Sequence, residues 1–215
     1  MIVIYTGPTM SVEKSRAVLD GADYRPPIVR GDLSKLPKKT KIVGIIDGVF
    51  YSDSAVAHKE ILEVMKKGVT VVGSSSMGAL RAAELADFGM IGVGRIFECY
   101  RSGRIINDDE VAVTFNPVTG EQISEPMVNV RYQLKAAEHA GLIDPEERRA
   151  IVELTGQIFY PQRTYENILA KSIEAGAISR TRGDQLLKFV HQSPLNLKAE
   201  DAVLLLEKIR SLSCL

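Results

Sequence analysis

Three consecutive serines, Ser74-Ser75-Ser76, stand where a run of β-branched residues (Val69, Thr70, Val71, Val72) ends at Gly73 and a string of helix formers begins at Met77. Hydroxyls between a strand and a helix meet the first free N–H groups of that helix, where a bound anion or a nascent oxyanion is stabilised. Ser76 stands at the helix entrance, with Met77 and Gly78 able to supply backbone donors, and Ser75 is its immediate alternative. Each matches only part of the G-x-S-x-G elbow: Ser75 lacks the second glycine, and Ser76 has Ser74 in place of the first. An ordinary helix cap accounts for one of the three hydroxyls without any chemistry.

A serine nucleophile needs a base, and the chain holds three histidines. His58 falls on the apolar stripe of a predicted helix (His58, Ile61, Leu62, Met65), as a core or interface histidine would, while His139 and His191 lie in the C-terminal half. A lysine replaces histidine in this role when burial disfavours its charge. Lys59, adjacent to that stripe, is the candidate. On the otherwise apolar helix Met77–Leu85, Arg81 and Glu84 are spaced i, i+3 and can pair. Gly78, a poor helix former, suits a close approach of backbone or ligand in that first turn.

Positioning these residues requires strands and helices in alternation. Ile2–Tyr5 reads as a strand ended by Thr6-Gly7-Pro8-Thr9, and a helix follows from Ser11 to Leu19. Ile28-Val29 suggests a brief second strand. Ile42–Ile46 is a buried strand broken by Asp47-Gly48, and a helix from about Ala55 to Lys67 follows, with caps among Ser52–Ser54. Such alternation implies a parallel sheet whose ligands gather beyond the carboxyl ends of its strands. Lys59, roughly 6 to 9 Å along its helix, then reaches Ser76 if the two preceding strands are neighbours. Gly7 and Asp47 share the same edge.

Gly89, Gly92 and Gly94 read as a glycine-rich turn without the dinucleotide fingerprint. Arg95–Arg101 suits a helix, and Asn107-Asp108-Asp109-Glu110 suits a solvated turn rather than a cation site. Strand signals stop near Pro126. Asp144-Pro145-Glu146-Glu147 starts a helix, and Thr164–Ala175, Ser179–Val190 and Lys198–Leu212 are amphipathic. The expected fold is α/β, with an N-terminal parallel Rossmann-like sheet and flanking helices over residues 1–120 and an all-helical region over 121–215.

Lys+Arg and Asp+Glu are equal at 27 each, so no excess charge favours nucleic acid or an anionic membrane. The apolar start MIVIYTG is short and lacks signal-peptide flanks, and no stretch approaches ~18 consecutive apolar residues. A soluble cytoplasmic protein with no nucleic-acid or membrane partner is expected. Cys99 and Cys214 form neither a disulfide framework nor a zinc site, and no metal or cofactor is expected.

The segments Asp47-Gly48-Val49-Phe50, His58-Lys59-Glu60-Ile61-Leu62, Ser76–Leu85 (SMGALRAAEL), Phe88-Gly89-Met90 and Asp108-Asp109-Glu110-Val111-Ala112 resemble the TfuA-like family. The resemblance runs from about Ile42 to Val113. It implies an accessory of YcaO enzymes in backbone thioamidation, of methyl-coenzyme M reductase glycine in methanogens or of natural-product peptides elsewhere. The implied activity is hydrolysis of the C-terminal thiocarboxylate of a ThiS-like ubiquitin-fold sulfur carrier, releasing sulfide to YcaO. The family's Ser-Lys pair maps onto Ser76 and Lys59. Met77, Gly78, Gly7, Asp47 and Ser75 are then the oxyanion or substrate contacts, and His58, Arg81 and Glu84 partner-binding or supporting residues. Two alternatives from other classes are a non-catalytic adaptor docking YcaO through Arg81, Glu84 and the acidic turn, and a phosphate binder using the same helix N-terminus.

Overall fold

The computed structural model describes residues 1–50, 54–116 and 118–213. The chain divides into two compact units, Met1–Asp108 with Lys198–Leu215, and Asp109–Leu197.

In the first unit the β-branched runs form five parallel strands: β1 (Ile2–Tyr5), β2 (Asp23–Arg25), β3 (Ile42–Ile45), β4 (Thr70–Ser74) and β5 (Ile91–Val93). Their order is β2-β1-β3-β4-β5, and the register sets Tyr5, Ile45 and Gly73 side by side. The fold is therefore α/β with a parallel, doubly wound sheet, and its order reverses between β1 and β3. Helices α1 (Val12–Val18), α2 (His58–Lys66), α3 (Met77–Leu85) and α4 (Arg95–Arg101) connect or follow the strands. Ser11 caps α1 by accepting the Lys14 N–H.

Three local expectations change. The second strand is Asp23–Arg25, and Ile28 makes only a single parallel bridge to Gly48. The glycine-rich stretch contains β5, because Gly92 leaves room for the Phe97 ring, 2.1 Å from where a Cβ would stand. Finally, α2 begins later than expected, after Ala57, whose N–H is accepted by Glu60 at 3.3 Å. Of the expected caps, Ser52 and Asp53 lie outside the described residues.

The second unit contains α5 (Met127–His139), α6 (Pro145–Gly156), α7 (Tyr165–Glu174) and α8 (Arg180–Gln192) around Val130, Leu134, Ile151, Ile168 and Leu186. At the start of α6, Asp144 accepts the Glu146 and Glu147 N–H groups at 2.8 and 2.9 Å, and Glu147 returns a bond to the Asp144 N–H. Asp144→Ala is expected to cost about 1 kcal/mol, read as a fall of roughly 2 to 4 °C in melting temperature. An unchanged melting curve would show that this cap does not support the folded state.

The last helix, α9 (Leu197–Ser213), returns to the first unit. Its stripe Ala202, Leu205, Leu206 and Ile209 packs with Ile4, Ile42, Ile46 and Val72 on one side of the sheet. Gly44 permits that approach, since a Cβ there would stand 2.6 Å from both Ile4 and Ile209. The division expected near residue 120 thus differs in two respects: the break falls after Asp108, and α9 belongs with the sheet. Helical periodicity shows that a stripe is apolar, not which core it meets. Among the described residues no helix is long and apolar enough to cross a membrane.

Candidate functional site

β4 enters α3 through a turn whose middle residue is Ser75. Its φ is +67°, and it is the one non-glycine residue with positive φ among those described. The Ser76 N–H donates to the Ser74 carbonyl at 2.9 Å, closing a three-residue γ-turn around Ser75. A non-glycine residue held this way costs on the order of 1 to 3 kcal/mol, and such outliers cluster at functional sites. The Ser75 side chain is fully buried, and its hydroxyl has no hydrogen-bond partner among the described residues. Buried hydroxyls are normally satisfied, so this one is the exception in the turn.

Its neighbours are differently occupied. The Ser74 hydroxyl donates to the Asp201 carbonyl at 2.9 Å, tying the end of β4 to α9. Ser76 occupies the N-cap position of α3 without a capping bond from its side chain, at φ −109° and ψ −123°. Its carbonyl accepts from Ala79 and Leu80.

Gly78 is obligatory for packing. A Cβ on it would stand 1.7 Å from the Ile45 carbonyl oxygen, and its N–H donates to the Ile46 carbonyl at 3.3 Å. The Gly78 N–H, expected as an oxyanion donor, is thus engaged with the residue that follows β3. Met77, at the first helical position, is left as the backbone donor of that pair.

The expected partners at this edge divide. β3 and β4 are adjacent, as the reach from Lys59 to Ser76 requires. Lys59, however, sits in the first turn of α2 and is exposed, without the partial desolvation expected of it. The start of α2 is tied to the body of α3: the Arg81 Nε donates to the Val56 carbonyl at 3.1 Å, and the His58 Nε2 lies 2.7 Å from the Glu84 carboxylate. Those contacts are five and eight residues beyond Ser76, roughly 8 to 12 Å of helix. Arg81 and Glu84 form the i, i+3 pair expected, at 2.7 Å. His58 is exposed rather than a core residue.

At the reversal point, Asp47 is buried and holds the loop after β1: its Oδ2 accepts the Gly7 and Thr9 N–H groups at 2.8 and 3.1 Å, and its Oδ1 accepts the Thr9 hydroxyl at 2.6 Å. Its fourth neighbour was missed from the sequence. Lys198, 1% exposed, brings its Nζ to 4.0 Å from the Asp47 Oδ1. The signal was available, since Lys198 continues the apolar stripe Ala202, Leu205, Ile209 one turn toward the helix start. One turn further along α9, the buried Asp201 carboxylate accepts the Arg95 and Ile96 N–H groups at 3.0 and 2.8 Å and so caps α4. Burial pushes its carboxyl up, against those two bonds.

The acidic turn is solvated at Asn107 and Asp108 as expected, but Glu110 is buried and pairs with Arg131 at 2.7 Å, and Asp109 pairs with Arg163 at 2.5 Å. Among the described residues no group of three or more His, Cys, Asp or Glu side chains is arranged to hold a metal ion.

Fold and site together define a doubly wound α/β protein with a strained, buried serine at the carboxyl edge of its sheet. The family model described as TfuA-like protein matches residues 47–164, more than half of the chain, and the chain belongs to that family. The family is associated with thioamidation. No curated protein matches the chain.

Proposed function

We propose that the protein is a hydrolase acting at the Ser74–Ser76 turn on the C-terminal thiocarboxylate of a ThiS-like sulfur carrier, and that the sulfide released serves a YcaO enzyme in backbone thioamidation. One observation carries this reading: Ser75, a fully buried hydroxyl without a partner, is held at φ +67° where a strand passes into a helix N-terminus. A strained turn from strand to helix at the carboxyl edge of a doubly wound sheet is a feature of an elbow nucleophile. Membership of a family associated with thioamidation supports the substrate class.

In the reaction so proposed, the Ser75 Oγ bonds the thiocarboxylate carbon, the hydroxyl proton passes to sulfur, and the carbon–sulfur bond breaks to release HS⁻. Water then cleaves the ester, giving the carboxylate and restoring the serine. The Met77 N–H faces the charge that develops on oxygen. The resemblance assigns the lysine of the site to Lys59 and the serine to Ser76; the geometry favours Ser75 for the serine. Sulfide release from a purified carrier thiocarboxylate, measured for the wild type and for Ser75→Ala, tests the reading. Equal release by both proteins, or binding of the carrier with no sulfide from the wild type, would overturn it.

A further inference from the structure

Lys198 is unusual in two ways. A lysine ammonium is strongly hydrated and is almost never fully buried unless paired, yet Lys198 is 1% exposed. It also occupies the first turn of α9, where the helix dipole opposes a positive charge. A stability role would place a cation at the other end of the helix. Departures of this kind concentrate at functional sites.

Its surroundings place it beside Asp47, at the end of β3. The Lys198 Nζ lies 4.0 Å from the Asp47 Oδ1, and Ile46, immediately before Asp47, accepts the Gly78 N–H at the start of α3. One turn along α9 from Lys198, the Asp201 carbonyl accepts the Ser74 hydroxyl. Lys198 is therefore bracketed between the ends of β3 and β4, the strands that lead to Asp47 and to Ser75. Its carboxylate neighbour is already served by Gly7, by Thr9 and by the Thr9 hydroxyl, at shorter distances than the ammonium. Asp47 thus balances the buried positive charge while the loop after β1 holds the carboxylate in place.

We propose that Lys198, balanced by Asp47, is the anchor for an anionic acyl terminus at this site, so that Ser75 meets acids and thioacids in preference to neutral esters and thioesters of the same acyl group. This rests on the hydrolase reading for its substrate and extends it to a specificity determinant that lies outside residues 47–164.

The test compares a sulfur carrier ending in thiocarboxylate with the same carrier as a neutral S-methyl thioester, by kcat/KM for wild type and Lys198→Met. The wild type is expected to prefer the thiocarboxylate, and the preference to fall by roughly tenfold to a hundredfold in the variant, the value of a hydrogen bond to a charged group. A preference unchanged in a folded, active variant overturns the proposal and leaves the hydrolase reading standing. If the wild type turns over neither carrier, the hydrolase reading fails. The anchor is then decided by calorimetric binding of carboxylate-terminated against amide-terminated carrier: tighter binding of the former supports it, and equal binding overturns it. That wild-type comparison also decides the matter if Lys198→Met does not fold.

Discussion

Ser75→Gly is expected to make the protein more stable and catalytically silent. A side chain in the left-handed region costs roughly 1 to 2 kcal/mol, which glycine does not incur. The added freedom of glycine in the unfolded chain takes back about 0.5 to 1 kcal/mol, and removing a buried hydroxyl without a partner adds to the gain. The net change is about +1 kcal/mol, or a rise of roughly 2 to 4 °C in melting temperature. Under the proposed hydrolase mechanism, sulfide release should fall at least about a thousandfold, because the proposed nucleophile is removed. Melting curves and a sulfide assay on one preparation read both effects. Should Ser76→Ala lose more activity than Ser75→Gly, the nucleophile is Ser76. Lower stability in the glycine variant would mean that the positive φ stores no strain.

Gly78→Ala should have the opposite character: no gain and a large loss. The new methyl would lie 1.7 Å from the Ile45 carbonyl oxygen and 2.6 Å from its carbon. Both are backbone atoms of a central strand, so neither can turn aside as a flexible side chain would. Gly73, opposite, is also tight, with a Cβ 2.2 Å from the Gly78 carbonyl oxygen. α3 would have to lift from the sheet, at a cost of more than about 3 kcal/mol. Gly156 is the matched control, a helical glycine with nothing within 4 Å of its missing methyl. There, alanine should stabilise by up to about 1 kcal/mol. Urea unfolding of both variants measures the contrast, and a Gly78→Ala protein as stable as the wild type would show that α3 can shift at little cost.

These two glycines also mark how far the sequence could be read. The alternation of β-branched runs with capped helices was visible, and it led to the parallel sheet and to the edge where Ser75, Asp47 and Gly7 stand. Gly78 stood out as a weak helix former, but the partner that demands it, the Ile45 carbonyl, comes from another strand. Periodicity carries no such information. The same limit applies to the two lysines. Lys59 follows a stripe residue, and its exposure is decided by where α2 starts, which depends on Glu60 reaching back to the Ala57 N–H. Lys198 lies more than a hundred residues from the serines in sequence, and only the return of α9 to the sheet brings it to Asp47. The choice between Ser75 and Ser76 rests on a backbone angle and on a buried hydroxyl without a partner, neither of which residue types alone specify.

That return has a consequence for synthesis. The strands and α1–α4 are complete by Asp108, but the side of the sheet bearing Ile4, Ile42, Ile46 and Val72 awaits α9, about ninety residues later. At translation speeds of roughly 5 to 20 residues per second, this greasy surface stays uncovered on the ribosome for about 5 to 20 seconds. The nascent chain is then a natural client for chaperones that shield apolar surface, and Asp47 acquires its buried lysine neighbour only when the last helix packs on the sheet.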